Sequence, residues 1–315
     1  MTRNQPTCLV PREILEHVST KRYALIAATA AAAVAVSACS PTAPAEPKPW
    51  PNAGAGGAVA APTSATVKTP EFVWKNVDGQ GHVEFDTGKP ATQYGSAEPG
   101  VALLRGFDTG NIQACSIGPA VKSGFLTAGH CSTRGDSQAP RVAGVTQYAE
   151  TSADGDKDLL GASTPVDGLD VAVIETSNVS PDATRIADTW PVAGVLTAPG
   201  VQQLVPVGSS VCFSGAVSGV RCGERVADEG GQLVYSAPSE HGDSGAPVFV
   251  VNEDGRAALI GILNAGDDTG ADRKSTAVYL ETALMASGTA VKLDPGTVPF
   301  DAPQPGLFSQ RISTP

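Results

Sequence analysis

From residue 101 onward the apolar positions fall into short runs, at 101–104, 125–128, 170–174, 203–207, 246–251 and 257–263, each bounded by Gly, Pro, Asp or Ser. Runs this short, rich in β-branched residues and lacking helical spacing, predict many antiparallel strands. One stretch breaks the pattern. Residues 279–287 bring Leu280, Leu284 and Met285 onto one helical face, and Gly288 supplies a stop. The expectation is an all-β domain, sandwich or barrel, closed by a C-terminal helix. Residues 289–315 are Pro-rich and are expected to be a loose tail. Upstream, Val73-Trp74 and the run at 82–85 suggest short strands within 66–100, a segment that reads either as a pro-segment or as an N-terminal extension.

The polar pattern at the start of the chain is different. Lys21 and Arg22 precede an Ala-rich apolar run over 23–38, the n-region and h-region of a secretory signal. That run is short of the ~20 residues that span a membrane as a helix. It ends in Val36-Ser37-Ala38-Cys39, which resembles a bacterial lipobox with Cys39 as the lipidated first residue of the mature protein. The charged n-region is long, and Val18 is a candidate start of translation. Residues 1–38 are thus expected to be a signal peptide. Residues 39–65, dense in Pro, Ala and Gly, are expected to be an extended tether that lifts the domain off a membrane.

Composition narrows the function. The chain of 315 residues carries 35 Gly and 25 Pro and a formal net charge of −11. Phosphate contacts need clustered Lys and Arg, so a nucleic-acid partner is not expected. Six Cys are present. Cys8 leaves with the signal and Cys39 takes the lipid. The remaining Cys115, Cys131, Cys212 and Cys222 form two close clusters, which favours pairing Cys115–Cys131 and Cys212–Cys222 among the three possible pairings. No C-x2-C spacing occurs, so no metal and no cofactor are expected.

Three local motifs carry chemistry. They are Leu126-Thr127-Ala128-Gly129-His130-Cys131, Leu169-Asp170-Val171-Ala172-Val173 and His241-Gly242-Asp243-Ser244-Gly245-Ala246-Pro247. A serine hydroxyl is a weak nucleophile and needs a base beside it and N–H donors for the developing oxyanion. Glycines around Ser244 permit the tight turn that aims the N–H groups of Gly242 and Ser244 into one pocket. His130 follows a strand-like run and precedes a Cys able to staple its loop. Asp170 opens an apolar run, where a carboxylate can orient an imidazole. The order His130, Asp170, Ser244 excludes the α/β-hydrolase order, since no His follows Ser244.

Taken together, these motifs resemble the chymotrypsin-like serine proteases, most closely the bacterial streptogrisin and alpha-lytic protease branch, over residues 101–288. The resemblance implies two six-stranded antiparallel β-barrels with a C-terminal helix, a triad of His130, Asp170 and Ser244, and an oxyanion hole from Gly242 and Ser244. It also implies the same two disulfides. By alignment, Pro238 and Ser239 form the base of the specificity pocket, with Asn264, Ala265, Gly266 and Ala277 on its walls. No Asp lies at that base, so a small or medium apolar side chain is expected there rather than Lys or Arg.

Two departures from the family stand out. Asn264 replaces a Ser near the triad acid, and an Asn amide could donate in its place. Phe213 stands where relatives carry an Arg that pairs with the Asp before the nucleophile, and Arg221 could reach Asp243 instead. The function expected is an exported endopeptidase acting on protein or peptide substrates. The alternative is an inactive protease-fold lipoprotein that binds peptides or a partner.

Overall fold

The computed structural model describes residues 72–81, 93–105, 114–133, 141–152, 154–267, 273–301 and 305–314. The signal, Cys39, the tether and the run at 82–85 lie outside the described residues. In chain order the strands are β1 Trp74–Lys75, β2 Ala102–Arg105, β3 Ala114–Ser116, β4 Ala120–Val121, β5 Gly124–Ala128 and β6 Val145–Glu150. Then come β7 Lys157–Pro165, β8 Val171–Glu175, β9 Arg185–Ile186, β10 Trp190–Val195, β11 Ser210–Gly215 and β12 Gly219–Glu229. The last are β13 Gln232–Tyr235, β14 Pro247–Asn252, β15 Ala257–Gly266, β16 Ser275–Tyr279, β17 Val291–Lys292 and β18 Ile312–Ser313. Two α-helices accompany them, α1 Ala198–Leu204 and α2 Leu280–Ser287.

The strands sort into two sheets. One runs β18-β17-β4-β5-β8-β7-β6-β2-β3. The other contains the ring β14-β11-β12-β13-β16-β15, which the β14–β15 pairing closes into a six-strand antiparallel barrel. All but one of the apolar runs of the sequence become strands, most of their residues buried. Every residue of β5 and β14 is buried. Phe125 and Ile174 lie in one core cluster of the first sheet, Phe213, Leu233 and Tyr235 lie in the barrel's cluster, and Leu126 and Phe249, on the opposite faces of their strands, share a third.

The run at 203–207, expected as a strand, is instead the end of α1. Thr197 caps that helix by accepting from the Gly200 N–H at 3.0 Å, and Pro199 in the first turn suits a position whose N–H would have no partner. Helix α2 ends as expected at Gly288, whose φ is 70°. Its Leu280 and Leu284 are buried, but Met285 points outward, 60% exposed.

The tail also differs from expectation. Strand β17 joins β4 and β18, and Phe300 and Leu307 are buried. Phe300 stacks on Phe308 at 5.4 Å, and Phe72 stacks on Trp74 at 5.3 Å. These rings form one cluster, with Phe72 6.2 Å from Phe308 and Trp74 6.3 Å from Phe300. Trp74 also donates its indole N–H to the Leu204 carbonyl, and β1 pairs with β14. The aromatic residues thus anchor a Pro-rich stretch that composition alone reads as unstructured. Farther along, the Gln93 N–H donates to Ala216 O at 2.7 Å, and Gly100 N–H to Ile117 O at 2.7 Å. This segment therefore bonds to the β11–β12 turn and to the residue after β3.

Candidate active site

In the antiparallel pair β5–β8, Ala128 faces Val171. The chain leaving Ala128 and the chain entering Val171 therefore lie side by side, and they carry His130 and Asp170. His130 sits in a 3-10 turn, Gly129–Ser132. Its backbone N–H donates to Asp170 Oδ1 at 2.8 Å, and its Nδ1 lies 2.9 Å from Asp170 Oδ2. The two side chains remain 23% and 20% exposed.

Burial pushes the Asp170 carboxyl up, but the His130 ring, the Arg141 guanidinium and the His130 N–H outweigh it and hold the group below its ordinary 3.8. An ionised carboxylate can only accept. His130 Nδ1 therefore carries the proton and donates to Asp170 Oδ2, which leaves Nε2 with a free lone pair.

Ser244 is drawn to this pair by β3. The Ser116 N–H donates to Ser244 O at 2.7 Å, and Cys115 beside it is disulfide-bonded to Cys131, the residue after His130. Cys131 Sγ lies 3.9 Å from the Ser244 carbonyl. Two glycines shape the turn. Gly242 has φ 108° and Gly245 has φ 94°, conformations that side chains rarely adopt. A Cβ on Gly245 would also run into Thr127 Oγ1 and the Ser116 carbonyl. Among the described residues, neither the Gly242 nor the Ser244 N–H has a protein acceptor. Two oriented, unspent donors in one tight turn can receive an oxyanion.

Asp243 is fully buried under this turn. Its Oδ1 accepts from the N–H groups of Val217 and Ser218 at 3.0 and 2.9 Å, and its Oδ2 accepts from Ser218 Oγ at 2.6 Å and from the Glu240 N–H at 2.8 Å. Burial raises its pKa, and the Ser218 hydroxyl and three N–H groups offset part of that rise. Among the described residues no cation pairs with it. The sequence expectation for Arg221 is thereby corrected. Arg221 lies across from Phe213 on the exposed face of β12, 3.9 Å from Asp78 Oδ2.

The expectation for Asn264 is corrected too. Its side-chain oxygen accepts from Thr276 Oγ1 at 3.1 Å, not toward Asp170. The group that reaches Asp170 is Arg141, whose Nη2 lies 3.3 Å from Oδ1 and whose Nη1 donates to the Leu169 carbonyl. No sequence motif marks Arg141.

The pocket residues gather in part. Ser239 is buried, its Oγ 2.9 Å from Ser275 Oγ, and a Cβ on Gly266 would run into that Ser239 hydroxyl. Ala277 is buried opposite Leu263. Ala265 and Gly266 are exposed on the last turn of β15, and Pro238 is exposed rather than turned inward. Arg273, absent from the sequence reading, joins this wall. It donates to Ser239 O at 2.7 Å and to Glu240 Oε1 at 2.9 Å. The second disulfide, Cys212–Cys222, crosslinks directly opposed residues of β11 and β12.

The trypsin-like peptidase domain matches residues 116–262, the span that holds His130, Asp170 and Ser244. The uncharacterized protein Rv1815 of Mycobacterium tuberculosis is 30% identical over 189 residues, which is 56% of this chain and 78% of that protein. Among solved structures, the chain is similar to Cellulomonas bogoriensis chymotrypsin, at 25% identity and TM-score 0.39, covering 62% of this chain and 97% of that one. Thermobifida fusca protease A is similar at 25% identity and TM-score 0.39, with the same coverage. The chain belongs to the trypsin-like peptidase family, the chymotrypsin-like serine proteases.

Proposed function

We propose that this chain is an exported serine endopeptidase that hydrolyses peptide bonds through an acyl-enzyme on Ser244. The observation that carries this reading is the His130–Asp170 pair, 2.9 Å between Nδ1 and Oδ2, beside the turn that bears Ser244. Ser244 Oγ attacks the scissile carbonyl carbon while His130 Nε2 takes its proton. The carbonyl oxygen becomes an oxyanion held by the Gly242 and Ser244 N–H groups, each donor contributing about 3 kcal/mol to the transition state. The C–N bond then breaks as His130 returns the proton to the leaving amine. Water, activated by the same imidazole, releases the acyl group.

The preference for a small or medium apolar side chain rests on the inward Ser239 hydroxyl and the nearby Gly266 and Ala277. A folded wild-type protein is expected to react with a fluorophosphonate probe, and Ser244→Ala to lose the label. Folded wild type that stays unlabelled would instead support the peptide-binding alternative.

Export is supported by the two disulfides, which persist in oxidising compartments. Among the described residues no helix is long and apolar enough to cross a membrane. The attachment we propose is a lipid on Cys39. Cys39→Ser is expected to move the protein from the membrane fraction to the soluble exported fraction, and an unchanged distribution would remove the anchor from the account.

A further inference from the structure

We propose that Arg141 is a positioning residue for the triad, a clamp that fixes the Asp170 carboxylate so that Oδ2 is left to the His130 ring. This rests on the reading of His130, Asp170 and Ser244 given above. Oδ1 accepts the His130 N–H at 2.8 Å and forms an ion pair with Arg141, whose Nη2 lies 3.3 Å away. The other arm of the same guanidinium donates to the Leu169 carbonyl. A planar guanidinium tied to the Leu169 carbonyl has its charge fixed in place beside Oδ1, which a freely rotating ammonium would not.

The rest of the circuit is closed through the backbone. Arg141 bridges to Thr133, and the Val142 N–H donates to Ser132 O at 3.3 Å. Both partners lie at the end of the turn that carries His130. The guanidinium is also packed on that turn, since a Cβ added to Gly129 would meet Arg141 Nη1 at 2.9 Å. Charges bear on Asp170 from two sides: His130 from its turn and Arg141 from the segment before β6. Strand β7, packed on the same turn, presents the neutral Ser163 hydroxyl, which accepts from Ser132 Oγ at 2.9 Å. Because 37% of the Arg141 side chain remains exposed, its charge is partly screened by solvent. The clamp therefore works through geometry as much as through field.

The test compares wild type with Arg141→Gln and Arg141→Lys. Three quantities are read: kcat and KM on a peptide substrate across pH, the melting temperature, and the low-field proton NMR resonance of the His130 Nδ1–H bonded to Asp170. Arg141→Gln is expected to lower kcat about fivefold with KM little changed, as for loss of a partly exposed ion pair. It is also expected to move the acidic limb of the kcat/KM profile to higher pH, because the His130–Asp170 pair loses a neighbouring cation that opposes its taking up a further proton. The low-field resonance should weaken, and Arg141→Lys should restore part of each effect. A Gln variant that keeps the wild-type pH profile and resonance overturns the proposal, including when its activity falls only in step with its melting temperature. If wild type does not react with fluorophosphonate, the endopeptidase reading fails by itself, and the resonance still decides the role of Arg141.

Discussion

Asp170→Asn is expected to lower kcat about ten-thousand-fold while leaving the fold intact. The size of the effect follows from which oxygen does what. Oδ1 accepts the His130 N–H and faces the Arg141 cation, both of which favour an oxygen at that position. An Asn amide must therefore leave its oxygen there and turn its NH2 toward His130 Nδ1. Two donors cannot face each other, so the ring proton moves to Nε2. The lone pair that should take the Ser244 proton is then lost. Shape and volume hardly change, so the melting temperature at neutral pH should fall only modestly. Its pH dependence should change in a definite direction. Asp170 titrates below 3.8 in the folded protein. Its contribution to stability is thus fully present above that value and fades as pH falls through the lower folded value. The gap in melting temperature between wild type and Asp170→Asn should therefore close as pH drops below 3.8. A gap that stays constant with pH, or a kcat within tenfold of wild type, would remove Asp170 from its role.

Trp74→Ala is expected to cost about 3–5 kcal/mol of stability, as for truncation of a buried aromatic. Trp74 is 8% exposed, packs on Phe72 and Phe300, and donates its indole N–H to Leu204 O. Truncation removes the ring contacts and leaves that carbonyl without its partner. For a domain of this size the melting temperature should drop by roughly 10 °C. Val73→Ala is the control, since Val73 is 50% exposed and should change little. None of these residues touches His130, Asp170 or Ser244, so kcat of the folded variant should be preserved. Equal melting temperatures for the two variants would show that 72–81 is not an integral part of the domain.

The parts of this molecule that were legible in the sequence share one property: their cause is local. His130 and Ser244 lie in dense motifs, and Asp170 opens the strand that pairs with the strand before His130. The disulfides join cysteines already near in sequence. Arg141 was not legible, because nothing near it in the chain signals that β-sheet register brings it to Asp170. The partners of Asp243 were missed for a similar reason. Ser218 is an ordinary turn residue until the β11–β12 hairpin folds its hydroxyl over the nucleophile turn. Helix α1 was misread because Leu204 and Val205 form an apolar pair that suits either helix or strand. The better signal was upstream, in Thr197 followed by Pro199. The tail was misread from its prolines, since composition does not reveal that Phe300 and Phe308 find rings at the other end of the domain.

That meeting of rings has a topological consequence. With Phe72 6.2 Å from Phe308, the first and last described stretches of the domain come to their ends side by side. Joining these two ends by a short flexible linker and cutting elsewhere should therefore give a circular permutant that still folds. The β12–β13 hairpin is a suitable place to cut, because Gly230 and Gly231 are exposed and a side chain at either would meet nothing. In such a permutant, with the linker leading into Phe72, the aromatic cluster would become the middle of a continuous segment.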